Sequence, residues 1–544
     1  MTLEAKPNQS AAPAKQCRSA RLAPFALLAI GLALYLPLLG SFGPLDPTDS
    51  FFLESAREMV ETKQYLLPLM NYVPWLDKPI LYFWAVAGSY QLFHMDPFFG
   101  RLFTALSAVL MGLFIYLSAR PVLGLKVAFL SGVLFYAFPL SSVIGHVSLT
   151  DMPLTTMMAG SLLALFHYLH RGGLWILILA YLALALAFLC KGPIAVILVV
   201  AIFGAYRVLC ATKPVEIVED VFKLKPLLGL FILAVINLPW YTAATIGTKG
   251  AFFRDFFITQ NFGRMVGTVN HQQPFWFYIP VVAAGLFPAS LFLFSLPNLP
   301  LKLIKDRKRL SQRSSYIFFL LVWSVFVLTL FSIIKTKLPT YILPAVPALA
   351  ILSAYTVTLW SRLKQPLKLL PTALLLAAAA TGGILAAPKV KGWAGHLLLT
   401  DKPLLIIFLL VSLLYLFLLI KRKTAPALTL LFTTSILASA IVVPQAFMIF
   451  YEDRQKPFEE LLLTVQGAGA DLATVIVEEP STSYFLHRRI PCIKTPQEAR
   501  DYLAGGKKPH YVLINKDVIE DISWFGGGEK IVKKTDKWTL FALD

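Results

Sequence analysis

Charged side chains stand at the ends of long apolar runs in this sequence, where a lone charge costs free energy unless it meets a partner or a ligand. Asp46, Asp49 and Glu54 follow the first apolar run, and Asp151 precedes a later one. Carboxylates so placed could act as general bases or bind a divalent cation. Helix capping explains the same aspartates without any chemistry. Both interpretations stay open for Asp46, Asp49 and Asp151.

Cationic residues occupy similar positions. Lys78 follows Asp77 where an apolar run begins, and Lys335 and Lys337 precede Tyr341. Two like charges this close at a membrane face are unfavourable unless an anion compensates them, so these lysines predict an anion site. An ammonium group binds phosphate as a point charge. The alternative for Lys78 is an interfacial lysine that extends towards water.

The stretch 247–273 alternates aromatic and basic residues, among them Arg264, and also contains His271. This pattern suits an amphipathic element that binds an anionic lipid head group, or an interfacial helix with no ligand. His271 and Asp77 are candidate ligands for a divalent metal, although a lone histidine is more often only hydrogen-bonded. Lys191 interrupts another apolar stretch, and we expect it to pair with an aspartate.

The elements that must position these residues are transmembrane helices. The chain has 544 residues, of which 57% are hydrophobic and 15% charged, with a mean hydropathy of +0.69. Its apolar runs repeatedly approach the roughly 20 residues that cross a bilayer. The composition excludes a soluble protein and predicts an all-α polytopic bundle of about 13 spans. One of the segments 80–94 and 175–190 is expected to be too short to cross.

Basic residues cluster between apolar runs, which explains the net charge of +19 by the positive-inside rule rather than by nucleic-acid binding. This topology puts the loops 41–78 and 247–273 on the outer side with the C-terminal region. We predict a cytoplasmic tail (1–22), a membrane domain (23–445) and an outer α/β domain (446–544). A helix over 50–62 is expected to lie along the membrane surface.

Seven short motifs follow one another in an order that resembles a known family. They are Ala56-Arg57-Glu58-Met59, Asp77-Lys78-Pro79-Ile80, Thr150-Asp151, Lys191-Gly192-Pro193, Trp240-Tyr241, Asn261 with Arg264 and His271, and the segment from Lys335 to Tyr341. Over residues 23 to about 350 the chain resembles the type C (GT-C) glycosyltransferases of the protein O-mannosyltransferase and lipid A aminoarabinose transferase superfamily.

The resemblance implies a bundle of about thirteen helices with an outer cavity, a polyprenyl-phosphate sugar donor and an inverting single displacement. Carried over by position, Lys78, Arg264 and Tyr341 would bind the phosphate of the carrier, with Lys335 and Lys337 nearby. Asp151 would be the acidic residue of the second outer loop.

One position departs from the family. Aminoarabinose transferases usually have Asp-Glu, with the aspartate nine residues before the arginine of the Arg-Glu-Met motif. Thr48 stands in the place of the aspartate here, and Asp49 in that of the glutamate. Either Asp49 acts from a shifted position, or Asp46 acts, or the base differs.

The sequence therefore predicts a glycosyltransferase of the bacterial inner membrane, active at its periplasmic face. Its donor would be an undecaprenyl-phosphate-type sugar and its acceptor a lipid A-type or other envelope molecule, with membrane lipids around it. Transfer to a protein hydroxyl is the alternative within the class. A transporter or flippase of lipid-linked sugars is a further one, although the sequence shows no clear internal repeat. No cofactor is predicted beyond the possible divalent metal, and no nucleic-acid partner.

Overall fold

Long apolar helices make up most of the computed structural model, which describes residues 13–263, 272–293, 307, 310–362, 369–390, 392–400, 402–476, 479–504, 510–515 and 529–543. The helices of the first half are α1 (Pro13–Tyr35), α2 (Thr48–Thr62), α3 (Leu81–Leu92), α4 (Pro97–Leu123), α5 (Leu125–Ala137), α6 (Pro139–Gly145), α7 (Asp151–Arg171), α8 (Leu174–Lys191), α9 (Ile194–Cys210), α10 (Pro214–Lys223), α11 (Pro226–Gly247) and α12 (Ala251–Phe253). Those of the second half are α13 (Tyr278–Gly285), α14 (Ser290–Leu293), α15 (Gln312–Ile333), α16 (Val346–Arg362), α17 (Leu370–Ala386), α18 (Gly392–Thr400), α19 (Lys402–Ile420), α20 (Thr424–Phe450), α21 (Lys456–Gly467), α22 (Pro480–Leu486) and α23 (Pro496–Ala504). The predicted helical membrane bundle is confirmed.

Eight helices in the described ranges are long and apolar enough to cross a membrane. They are α4, α7, α8, α11, α15, α19, the helix from Pro339 to Leu359 and the continuous helix from Thr424 to Gly467. The pair α5 and α6, bent by 61° where Pro139 interrupts the helical hydrogen bonds, makes a ninth candidate. Four further apolar helices in the described ranges have only 10–17 residues, so the predicted number of about 13 spans stays a prediction. Which of these four cross fully stays a prediction.

The segments 80–94 and 175–190 form helices of different length. Helix α3 has 12 residues, about 18 Å at the helical rise, which is well short of a bilayer core. Helix α8 has 18 residues and is long enough. Gly172 and Gly173 have φ values of 72° and 98°, which let the chain reverse between α7 and α8. The two helices are therefore antiparallel neighbours, with Asp151 and Lys191 at the same end.

The predicted helix over 50–62 forms as α2, and its expected position along the membrane surface stays a prediction. Ten of its residues from Asp49 to Met59 are buried, including both charged and apolar ones. It packs against α3 on one side and α22 of the C-terminal region on the other. The charged residues Glu54, Arg57 and Glu58 of this helix are therefore enclosed by other protein segments and do not face water.

The C-terminal region is the predicted α/β domain, built on a five-stranded mixed sheet in the order β4-β3-β5-β7-β6. Its strands are β3 (Asp471–Val475), β4 (Cys492–Ile493), β5 (His510–Asn515), β6 (Glu529–Lys534) and β7 (Trp538–Leu543). Helix α20 continues through a π-helical turn into α21, so the predicted boundary at 445/446 falls inside a helix.

A buried ion pair holds the first loop against the bundle. The guanidinium of Arg101, on α4, donates to both carboxylate oxygens of Asp49, with Nε–Oδ1 and Nη2–Oδ2 distances of 3.1 and 2.6 Å. The two side chains are 0% and 3% exposed. Arg101 also donates to the backbone oxygens of Leu39, Phe42 and Gly43 at 2.7–2.9 Å.

The same carboxylate accepts two backbone N–H groups, from Leu45 at 3.1 Å and from Ser148 at 2.6 Å. Asp49 therefore ties together three segments: the loop after α1, helix α4, and the segment between α6 and α7. Each polar atom of the pair has partners, which is what makes a buried charge tolerable.

Removing one member of this pair should destabilise the whole bundle. We expect Asp49→Asn to lower the free energy of unfolding by about 3–5 kcal/mol, because it leaves the Arg101 charge buried without its counter-ion. Unfolding of the purified protein in mixed micelles, titrated with SDS, measures this. The control is Glu452→Gln, which breaks an exposed Lys456–Glu452 pair and should cost under about 1 kcal/mol. Equal effects of the two substitutions would contradict the structural role of Asp49.

Candidate functional site

A cavity of about 780 Å³ opens near the C-terminal end of α8 and the N-terminal ends of α7 and α9. Its polar lining consists of Asp77, Lys78, Asp151, Lys191, Thr336, Thr340 and Tyr341. Its apolar lining consists of Leu154, Pro193, Ile194, Ile197, Leu198, Phe256, Phe257, Ile258, Phe331, Ile334 and Pro344. Charged residues far apart in the sequence thus meet at one end of an otherwise apolar space.

Asp151 and Lys191 form an ion pair at this polar end, with Nζ and Oδ1 2.9 Å apart. The side chains are 12% and 20% exposed, so both remain partly accessible from the cavity. Asp151 begins α7 and Lys191 ends α8, which puts each charge at the helix end whose dipole stabilises it. The predicted pairing of Lys191 with an aspartate is confirmed, and it leaves the pair facing a cavity.

Tyr341 lies beside this pair on a 3₁₀ helix from Pro339 to Ala345. The ammonium of Lys191 is 5.9 Å from the centre of the Tyr341 ring, within cation–π range. Thr336 and Thr340 line the same part of the cavity. Two ammonium groups, a phenol and two hydroxyls therefore border one space, and all of them can donate hydrogen bonds to an anion.

Lys78 and Asp77 enter the cavity from the loop before α3, and both are half-buried. This loop follows a short hairpin of β1 (Leu69–Met70) and β2 (Val73–Pro74). The hairpin rests on α2, whose Ser55 hydroxyl donates to the carbonyl of Leu69 at 2.5 Å. The first loop thus contributes a lysine and a carboxylate to the lining of the cavity.

Aromatic side chains form another part of the cavity wall. Helix α12 continues as a π-helix (Arg254–Gly263), and its Phe256 packs over Gly192. A Cβ at Gly192 would lie 2.5 Å from the Phe256 ring, and φ there is 87°, so only glycine fits. The ring of Tyr241 packs 6.0 Å from that of Phe256. The motifs Lys191-Gly192-Pro193 and Trp240-Tyr241 thus shape this wall.

The apolar wall continues onto the surface of the bundle that would face lipid. Ile197 and Ile258 line the cavity and are 52% and 56% exposed. A ligand with a long hydrocarbon tail could therefore reach the polar end without leaving an apolar environment. This open side distinguishes the space from a closed pocket for a water-soluble substrate.

Lys335 and Lys337 do not line this cavity. The Lys337 side chain is buried, and its ammonium donates to the carbonyls of Gln273 and Ile334 at 2.9 and 2.5 Å. It closes the turn after α15 and so holds the segment that carries Thr336 and Tyr341. Lys335 is exposed.

Asp49 and Asp46 also lie outside the cavity, on the far side of the segment 146–151. Asp46 accepts hydrogen bonds from Ser50, from Gln455 and from the backbone and hydroxyl of Ser481. Burial raises the pKa of Asp46, and burial and the nearby Asp46 raise the pKa of Glu479 to about 7. These carboxylates join the first loop to the C-terminal domain.

Asp46, Thr48 and Asp49 border a second, largely apolar cavity of about 530 Å³. Its other walls come from α6 and from the C-terminal end of α20. Leu149 lines this second cavity and Asp151 the first one, so a short segment of chain separates the two spaces.

Two predicted site residues, Arg264 and His271, lie outside the described residues. Within the described ranges no group of three His, Cys, Asp or Glu side chains is arranged to hold a metal ion. Asp77 lines the cavity, but the predicted metal site is not tested by this geometry and stays a prediction.

The charged face of α2 forms a further buried cluster beneath the C-terminal domain. Arg57 donates to both oxygens of Glu54 at 2.7 Å, and Glu58 accepts the backbone N–H of Tyr72 at 2.8 Å. Burial, with the neighbouring carboxylate of Glu54, raises the pKa of Glu58 to about 8. Glu58 lies in the loop region outside the apolar spans.

Comparison with known proteins identifies the type of fold. The model of the family described as "Dolichyl-phosphate-mannose-protein mannosyltransferase" matches residues 77–240, less than half of the chain. That segment contains all four charged residues of the first cavity. The predicted resemblance is confirmed.

Two curated relatives match a similar share of the chain. A protein of Aquifex aeolicus (strain VF5) with no functional name is 30% identical over 324 residues, 59% of this chain and 61% of that one. The undecaprenyl phosphate-alpha-4-amino-4-deoxy-L-arabinose arabinosyl transferase 2 of Proteus mirabilis (strain HI4320) is 31% identical over 341 residues, 60% of this chain and 58% of that one. The matches thus span about three fifths of the length of these relatives.

Solved structures show the same fold over nearly the whole chain. The crystal structure of ArnT from Cupriavidus metallidurans bound to undecaprenyl phosphate superposes with a TM-score of 0.80 at 19% identity, covering 96% of this chain and 98% of that one. The oligosaccharyltransferase AglB from Archaeoglobus fulgidus gives a TM-score of 0.51 at 11% identity, with coverage of 98% and 75%. The chain is a multi-pass membrane protein with the type C glycosyltransferase fold.

The raised pKa of Glu58 predicts that stability falls as pH rises. A carboxyl whose pKa is higher in the folded than in the unfolded state stabilises the fold while protonated, and loses that contribution as pH rises through about 8. Between pH 5 and 8, Glu58→Gln should therefore reduce the decline of the unfolding free energy, by at most about 1.4 kcal/mol per pH unit. Micellar unfolding at several pH values measures it. An unchanged slope would show that Glu58 is ionised in the fold.

Proposed function

We propose that this protein is a glycosyltransferase that takes a sugar from a polyprenyl-phosphate donor at the cavity containing Asp151 and Lys191. One observation carries the proposal: the cavity joins a cluster of hydrogen-bond donors and two carboxylates to an apolar wall open towards lipid. A polyprenyl-phosphate sugar has the same division, with a hydrocarbon chain, a phosphate and a polar sugar. The fold supports transfer rather than transport.

In the proposed mechanism the donors hold the phosphate. Lys78 and Lys191 supply positive charge, while Tyr341, Thr336 and Thr340 supply hydroxyl groups. As the sugar–phosphate bond breaks, negative charge grows on the leaving phosphate, and charge-assisted hydrogen bonds stabilise it. Arg264 is a further candidate for this role by its position in the family motif.

In the same mechanism, a carboxylate in the cavity deprotonates or orients the acceptor. Asp151 and Asp77 line the first cavity, whereas both oxygens of Asp49 are already bonded to Arg101 and to backbone N–H groups. We therefore assign the acceptor-side role to Asp151 and a structural role to Asp49. Asp151 would accept the proton of a hydroxyl acceptor, or orient an acceptor phosphate that is already anionic, in an inverting displacement.

The acceptor proposed is a lipid of the cell envelope. The second cavity, with its apolar walls beside Asp46 and Thr48, suits the acyl chains of such a lipid and lies across one chain segment from Asp151. The names of the curated relatives favour an undecaprenyl carrier and an aminoarabinose-type sugar. On this basis we place the protein in the bacterial inner membrane with the cavity on the periplasmic side.

Loss of either cavity lysine should weaken binding of the carrier phosphate. We expect Lys78→Ala and Lys191→Met each to raise the Kd for undecaprenyl phosphate about ten- to hundredfold, the worth of one charge-assisted hydrogen bond. Binding is measured on protein in lipid nanodiscs. The matched control is Lys389→Met, an exposed lysine of another loop. Binding by both cavity variants as tight as by the control would refute the assignment of the phosphate site.

Neutralising the cavity aspartate should affect turnover rather than carrier binding. We expect Asp151→Asn to lower kcat for sugar transfer about a hundredfold or more, the usual contribution of a general base, and to change the Kd for undecaprenyl phosphate only a few-fold. Sugar release from a panel of undecaprenyl-phosphate sugars, with lipid A as acceptor, measures kcat. Full turnover by the Asp151→Asn protein would transfer the acceptor-side role to another group.

A further inference from the structure

Asn71 connects the first loop to the C-terminal domain through a two-bond contact. Its side-chain Nδ2 donates to the carbonyl of Ile490 at 2.6 Å, and the N–H of Ile490 donates to its Oδ1 at 2.7 Å. The hydroxyl of Ser483 approaches the same oxygen at 3.5 Å. Asn71 is 8% exposed and Ile490 is 1% exposed, so water competes little for these bonds. The amide thus pairs with a peptide unit of a domain more than 400 residues away in sequence.

The backbone of Asn71 is shaped for this contact. Asn71 and Tyr72 are the two central residues of the hairpin between β1 and β2, with φ values of 53° and 59°. Positive φ at both positions defines the type I′ hairpin turn, in which asparagine is favoured. The turn therefore presents the amide to the C-terminal domain from a rigid two-stranded element.

The hairpin is also fastened to α2. The N–H of Tyr72 donates to Glu58, and the hydroxyl of Tyr72 donates to Glu61 at 2.6 Å. The N–H of Trp75 returns to the carbonyl of Pro68 at 2.8 Å. The hairpin is thus held between two layers of protein, α2 beneath it and the C-terminal domain above it.

The chain reaches the cavity directly after this anchored hairpin. Val73 and Pro74 end the hairpin, and Asp77 and Lys78 line the cavity a few residues later. The ring of Trp75, between them, packs 5.3 Å from that of Phe51 on α2. With so short a connection, the position of Lys78 depends on where the hairpin is held.

We propose that Asn71 is a positioning residue through which the C-terminal domain holds the loop of Lys78 in its binding position. The inference rests on the proposed function and deepens it, because it assigns the domain a part in donor binding. Without the two bonds the C-terminal domain holds the hairpin less firmly, and the loop samples more conformations. Ordering it on binding then costs conformational entropy, which weakens donor binding but leaves the bond-breaking step unchanged.

The test variant is Asn71→Gly, which removes both side-chain bonds and still allows the positive φ. The matched control is Lys63→Gly, because Lys63 has a φ of 57° and is exposed at the end of α2. Relative to this control, we expect Asn71→Gly to raise the Kd for undecaprenyl phosphate and the KM for the donor about tenfold, the worth of roughly one net hydrogen bond. The kcat at saturating donor should stay within about twofold, and amide hydrogen exchange over residues 72–80 should accelerate.

Three outcomes distinguish the possibilities. A wild-type protein that binds no undecaprenyl phosphate refutes the proposed function, and this inference with it. A wild type that binds, with Asn71→Gly equal to Lys63→Gly in Kd and KM, refutes the inference alone, even if Asn71→Gly lowers stability. If Asn71→Gly does not fold, Asn71→Asp replaces it, because it keeps the bond from the N–H of Ile490 and turns the other into repulsion between oxygens. It is expected to shift Kd and KM in the same direction, and unchanged values overturn the proposal.

Discussion

The buried pair of Arg101 and Asp49 is the interaction on which the packing of the first loop against the bundle depends. A guanidinium with no exposed surface needs every donor satisfied, and Arg101 meets this need with one carboxylate and three backbone carbonyls. The carboxylate in turn accepts the N–H of Ser148. This ion pair and its hydrogen bonds hold the first loop in place. They also hold the start of the segment that ends at Asp151.

The ion pair that we propose to be functional is less buried than the pair of Arg101 and Asp49. Asp151 and Lys191 balance each other at the ends of antiparallel helices, but their side chains keep some exposure to the cavity. A bound phosphate could therefore share Lys191 with Asp151 at little cost in reorganisation. We assign Asp49 a structural role because both of its oxygens are bonded within the protein, and we propose Asp151 for the chemistry because its side chain keeps some exposure. The difference between the two aspartates is one of environment, not of residue type.

The C-terminal domain contacts the first loop, although the two are far apart in sequence. It covers α2, binds the carboxylate of Asp46 through Ser481 and Gln455, and meets the hairpin at Asn71. No motif in the domain signals this, because the contacts use backbone groups, hydroxyls and amides that occur in any protein. Carboxylates with raised pKa values at this junction also make it sensitive to pH.

The sequence by itself determined the membrane bundle, the small α/β domain and most of the polar residues that line the cavity. Hydrophobic run length and the types of residue at the ends of the runs carry that information locally. The sequence predicted Lys78, Asp151 and Tyr341 as site residues. It also predicted that Lys191 pairs with an aspartate. It did not identify Arg101, Asn71, or the threonines at 336 and 340 as functional or structural partners. Only the tertiary structure decided that Asp49 is enclosed, that Lys337 closes a turn and that α2 is buried. Each of those outcomes depends on which distant segment supplies the partner, and spacing along the chain does not encode that.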